Sequence, residues 1–104
     1  MIYVIAAIRA REGQRDVVER LLRKIVPAVQ AKAGCLEYEL AVHLSSGFPG
    51  QPAFDDNELV IVEKWADLEA LKTHLADPAY MDWYTNVWPL LAGASMQVFK
   101  HCGG

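Results

Sequence analysis

A chain of 104 residues suits one domain, covering residues 1–104. Ten Lys and Arg against 13 Asp and Glu leave a net charge of −3 with no basic stripe. That balance argues against nucleic-acid binding, which depends on neutralising phosphate. A domain this small hides only about 60–70% of the surface its unfolded chain exposes. With 53% hydrophobic residues, the surplus apolar surface calls for a second subunit.

The two cysteines, Cys35 and Cys102, form no CxxC and have no regularly spaced partners, so a structural zinc site is not expected. No signal peptide is apparent, because the apolar start is short and no basic region precedes it. No run is long enough to cross a bilayer. The expectation is a cytoplasmic protein with reduced thiols. No glycine-rich phosphate loop or dinucleotide fingerprint exists, so flavin and nicotinamide are not implied.

Residues 2–9 (IYVIAAIR) are rich in β-branched side chains and read as a first strand, apolar on both faces. Ala6 and Ala7 leave room for a helix or a ligand. From about Gln14 to Lys32, Val17, Val18, Leu21, Leu22, Ile25, Val26 and Val29 form one helical stripe. Pro27 should bend this helix near Ile25, and Gly34 permits a left-handed end. Residues 35–44 alternate as a second strand, with Leu36, Tyr38, Leu40, Val42 and Leu44 on one face. Residues 45–57 are long for a hairpin connection. Phe48 and Phe54 either anchor this segment as a lid or pin a surface insertion.

Residues 58–65 (ELVIVEKW) form a third strand, with Leu59, Ile61, Glu63 and Trp65 on one face. Asp67 then caps a helix whose Leu68, Leu71 and Leu75 face the sheet, with His74 bordering them. Asp77-Pro78 restarts the helix. Met81, Tyr84, Trp88 and Leu91 form its stripe, Gly93 closes it, and residues 95–101 make a fourth strand. The skeleton is α+β: a ferredoxin-like antiparallel four-stranded sheet with helices on one face. Strands that are apolar on both faces need cover on the other side, which a symmetric homodimer supplies.

A carboxylate between Ile61 and Trp65 must be paired, hydrogen-bonded or protonated if its face is covered. Glu63 and His74 can approach across a layer. They are either a proton-handling pair or a buried structural hydrogen bond. Trp65, Tyr84 and Trp88 either line a flat slot for an aromatic ligand or pack as core. Tyr80 and Trp83 sit away from the Met81 stripe, toward a partner or solvent. Arg9 points with Tyr3 to the rim, where it could meet an anion. Cys35 has no visible activating base. His43 and His101 lie near strand ends and read as structural or solvent-facing, and nothing brings the three His together around a metal.

The segments VIAAIRAREGQRDVVERLL (4–22), AKAGCLEYEL (31–40) and VEKWADLEALKTHLADPAY (62–80) resemble the antibiotic-biosynthesis monooxygenase family. The resemblance implies a dimeric α+β barrel with a pocket between sheet and helices. It also implies oxidation of a quinol, polyphenol or anthrone-like aromatic by oxygen, without metal, flavin or haem. By that likeness Glu63 and His74 are the catalytic pair, and Trp65 matches the Trp of the family's E-(R/K)-W motif. Tyr84, Trp88, Ala7 and Arg9 complete the candidate substrate-binding set. A second His common after the family's Pro is Ala79 here. A haem-degrading branch of the fold needs an Asn on the first strand, where this chain has Ala6 and Ala7, a Trp where it has His74, and a His where it has Tyr84. The alternative reading is an isomerase or a small-molecule-binding protein of the same fold. Few candidate cations besides Arg9 speak against a phosphorylated-sugar isomerase.

Overall fold

The computed structural model describes residues 1–103. The chain runs β1 (Ile2–Ala10), α1 (Arg15–Gln30), β2 (Cys35–Val42), β3 (Glu58–Trp65), α2 (Leu68–Leu75), α3 (Pro78–Val87) and β4 (Leu91–Lys100). A single 3-10 turn, Trp88–Leu90, joins α3 to β4. All strand pairs are antiparallel and the order is β2-β3-β1-β4, the ferredoxin-like arrangement.

Strand alternation decides which side chains meet the helices. Val4 and Ile8 of β1 and Leu59, Ile61, Glu63 and Trp65 of β3 are buried on the helix side, with Tyr38 of β2. Val18, Leu22 and Val29 of α1 close over them. The opposite face carries Tyr3, Ile5, Ala7, Val60, Val62 and Phe99, and among the described residues no helix covers it.

Helix α1 runs through Pro27 to Gln30. Gly34 follows at φ +80, and its missing Cβ is needed twice. The left-handed backbone disfavours other residues. A Cβ there would also come within 2.5 Å of the Ala70 Cβ, so only glycine lets this turn rest on α2. The Gly34 carbonyl accepts the Ala66 N–H at 2.8 Å. Asp67 caps α2 through the Ala70 N–H, and Asp77 caps α3 through the Ala79 N–H, as the sequence predicts.

Four expectations change. Cys35 faces Trp65 and Glu37 faces Lys64, so Leu36 is an extra residue in a bulge. The bulge puts Leu36 out of the Tyr38 face, 51% exposed, and turns Cys35 inward. In α2 the buried pair is Leu71 and His74, while Leu68 and Leu75 are exposed. In α3 Met81 and Trp88 are exposed, and the inward residues are Tyr80, Trp83, Tyr84 and Val87. Pro89 brings no backbone donor and the helix stops at Val87, which breaks the stripe through Trp88. Finally, β4 begins at Leu91, opposite Ala10, and Gly93 is a strand residue. A side chain at Gly93 would approach the Arg9 guanidinium to 3.2 Å.

Within residues 45–57, Phe54 stacks on His43 with centroids 4.5 Å apart, and His43 Nε2 meets Glu58 at 2.7 Å. Phe48 is exposed. The segment is therefore pinned by one Phe, beside β2 and β3.

Candidate active site

Between the helix side of the sheet and α2–α3 lies an apolar cleft of about 430 Å³. Its floor is Ala6, Ile8, Ile61 and Glu63, and its far wall is Tyr80, Met81 and Tyr84. Ala94 and Met96 of β4, an edge strand, complete the rim. Small residues at Ala6 and Ala94 leave the space, because neighbours on paired strands with short side chains cannot fill the gap under α3. Glu63 is the only Asp, Glu, Lys, Arg or His among the lining residues.

Glu63 is 6% exposed. The Trp65 indole Nε1 donates to its Oε1 at 2.9 Å. Burial raises the carboxyl above its ordinary pKa, and the indole bond opposes that rise. The group is thus a carboxylate at high pH with raised proton affinity, facing a largely apolar space.

His74 lies behind this wall, 2% exposed. Its ring stacks on Trp65 at 4.9 Å, meets Tyr80 at 4.2 Å and presents an edge contact to Tyr38 at 5.9 Å. Its Nδ1 lies 2.8 Å from Lys32 Nζ, and Lys32 lies 2.8 Å from Asp77 Oδ2. Burial and the neighbouring ammonium push the imidazole down to about 4, against a smaller upward pull from Asp77. The Lys32 hydrogen bond and the Ala79 N–H hold Asp77 low. Burial, with Glu63 and Tyr84 nearby, pushes Tyr80 up to about 12. Tyr38 is raised too, by burial first, and its hydroxyl is buried without a protein partner.

The model of the family described as antibiotic biosynthesis monooxygenase matches residues 1–86. The chain belongs to the antibiotic biosynthesis monooxygenase family. Over 80 residues it is 38% identical to "Probable quinol monooxygenase YgiN" of Escherichia coli (strain K12), covering 75% of this chain and 76% of that protein. Among solved structures, PA3566 from Pseudomonas aeruginosa is 26% identical with a TM-score of 0.80, covering 96% of this chain and 92% of that one. Rv0793 from Mycobacterium tuberculosis is likewise 26% identical with a TM-score of 0.80, covering 96% and 93%.

In this family member, the residues singled out from sequence divide into three groups. Glu63 and Tyr84 line the cleft. Trp65 and His74 stand behind it, Trp65 touching both Glu63 and His74. The indole lies between the two expected partners: Glu63 bonds to Trp65, and His74 bonds to Lys32. Trp88 is 54% exposed and does not line the cleft, because it falls in the 3-10 turn. Ala7 and Arg9 lie on the open face of the sheet, since odd positions of β1 point away from the helices.

Tyr80 and Trp83 turn inward rather than to solvent. Tyr80 lines the cleft, and the Trp83 indole donates to the Leu21 carbonyl at 3.1 Å. The sequence does not single out Lys32, which is there one more cation at a helix end. Asp77 was legible only as a cap. Their meeting depends on the Gly34 turn resting on α2, which no local pattern records. No metal-binding group of three or more His, Cys, Asp or Glu occurs among the described residues. No described helix is long and apolar enough to cross a membrane.

Proposed function

We propose that this chain is a cofactor-independent monooxygenase that oxidises an uncharged aromatic of the quinol, polyphenol or anthrone type with molecular oxygen. The observation that carries the reading is an apolar cleft walled by Tyr80 and Tyr84, with the buried carboxylate of Glu63 in its floor. The relative named "Probable quinol monooxygenase YgiN" agrees with that substrate class. Flat rings suit an aromatic wall. A lining without Lys, Arg or His gives a phosphorylated or carboxylated ligand no counter-charge, which also weighs against the isomerase alternative.

In this reading Glu63 is the base, because it faces the cleft while His74 is engaged by Lys32. Glu63 takes the proton of the phenol or enol, aided by its raised proton affinity. The anion passes one electron to oxygen. The radical and superoxide recombine at carbon and take up a proton, giving a hydroperoxide. Loss of water leaves a carbonyl, so one oxygen atom enters the product and the other leaves as water. The two C–H bonds of an anthrone-type carbon supply the reducing equivalents. The protein orients the ring and excludes water.

Homodimerisation belongs to the same reading, with the open face of the sheet as the surface that a second copy covers. The test is oxygen uptake by purified protein with anthrone or a naphthohydroquinone, with the oxygenated product identified by mass spectrometry. Wild type should turn over, and Glu63→Gln should lose about 10²–10⁴-fold in kcat. Absence of turnover across both substrate types, or full activity in Glu63→Gln, would overturn the reading.

A further inference from the structure

The structure assigns Lys32, anchored by Asp77, as a positioning residue that fixes His74 as a neutral imidazole with its proton on Nε2. An ammonium has only protons to offer, so a nitrogen 2.8 Å from it must present its lone pair. That nitrogen is Nδ1, which leaves the ring proton on Nε2 and removes His74 from service as a base.

Lys32 does not reach His74 by accident of a long side chain. It sits in the turn after α1, two residues before Gly34, and that turn is pressed onto α2 by the Gly34–Ala70 approach. Asp77 holds the ammonium at 2.8 Å with Oδ2 while Oδ1 caps α3, so one carboxylate fixes both the helix start and the lysine. The Tyr80 ring also lies under the ammonium, 5.4 Å from centroid to nitrogen. The groups around the imidazole are few. Lys32 comes from the α1–β2 turn, Asp77 from the α2–α3 junction and Tyr80 from α3. Tyr38 and Trp65 come from the sheet, with Glu63 beyond the indole. None of these donates to Nδ1 except Lys32. Burial and the Lys32 charge both disfavour a second proton on the ring.

This assignment concerns the imidazole itself and stands whether or not the chain oxidises aromatics. It explains why a His so close to the cleft leaves the proton transfer to Glu63 in the function proposed above. The decisive measurement is the ring-nitrogen NMR spectrum of isotope-labelled full-length protein, with the His74 signals assigned through their loss in His74→Gln. Wild type at neutral pH should show an unprotonated Nδ1 and a protonated Nε2, with no titration until the pH approaches 4. Lys32→Met should release the tautomer and shift the titration midpoint upward toward that of an ordinary His. Lys32→Gln, whose amide still donates but carries no charge, should keep the tautomer while shifting the midpoint upward. A proton on Nδ1 or an imidazolium in wild type at neutral pH would overturn the assignment, with no variant needed. So would a Lys32→Met protein with unchanged tautomer and midpoint. Oxygen uptake is read separately, so an inactive protein with the stated tautomer refutes only the proposed reaction.

Discussion

Glu63 keeps a carboxylate in a site where burial raises its pKa and one indole N–H offsets the loss of water. Glutamine has the same shape and can still accept from Trp65. Glu63→Gln should therefore unfold at higher denaturant above neutral pH, by about 1 kcal/mol or more, because a buried charge is removed and its hydrogen bond kept. In the proposed reaction the same change should cost about 10²–10⁴-fold in kcat, so stability and activity move in opposite directions at one atom. His74 gives a second titration with a worked sign. Its folded pKa of about 4 lies below the ordinary 6.5, so the unfolded chain binds the proton more tightly. The stability it confers is complete above about 6.5 and lost as pH falls toward 4, on the order of 3 kcal/mol at most. Glu63 acts in the opposite direction over its own window, from the ordinary carboxyl value up to its raised one, gaining stability as pH falls. The His74 contribution is isolated by comparing wild type with His74→Gln. Denaturant midpoints of the two should diverge less at pH 5 than at pH 7.

Among the elements, the turn between α1 and β2 carries more than its length suggests. Gly34→Ala places a Cβ in a left-handed backbone and 2.5 Å from the Ala70 Cβ. The expected loss is about 2–4 kcal/mol by chemical denaturation. Adding Ala70→Gly should recover the part due to crowding and leave the part due to φ, which separates the two causes. The strands and helices themselves were largely legible in the sequence. Two-residue alternation located 58–65, Asp67 and Asp77 marked both helix starts, and the apolar stripe placed α1 to within about two residues. What failed was non-local. The bulge at Leu36 arises from pairing with β3, and Trp88 left its stripe because Pro89 stops α3. Glu63 stood out in the candidate site because a carboxylate interrupts an apolar face. Lys32 did not, because its partners come from elements far along the chain. Ala7 and Arg9 were correctly given to the Tyr3 face of β1. Only the fold shows that the cleft is on the other face.

As a whole the molecule is a slab with extents of 35 × 34 × 19 Å, one sheet and one helix layer thick. Its second sheet face presents Tyr3, Ile5, Ala7, Val60 and Val62 without a covering layer. Sedimentation should find two copies associated through this face. Ile5→Lys, which sets an ammonium among apolar neighbours, should shift the protein to monomers with the cleft residues left in place. The cleft itself opens beside β4, where Met81 and Met96, each about half exposed, flank the entrance. Unbranched thioethers adapt to guests of different outline, so the fixed shape of the cleft is set by its floor. They are also the two thioethers among the lining residues, and so the side chains there most open to oxidation. Sulfoxidation would turn two greasy gateposts polar. The doorway, not the floor, is therefore where oxidative wear would first alter what the cleft admits.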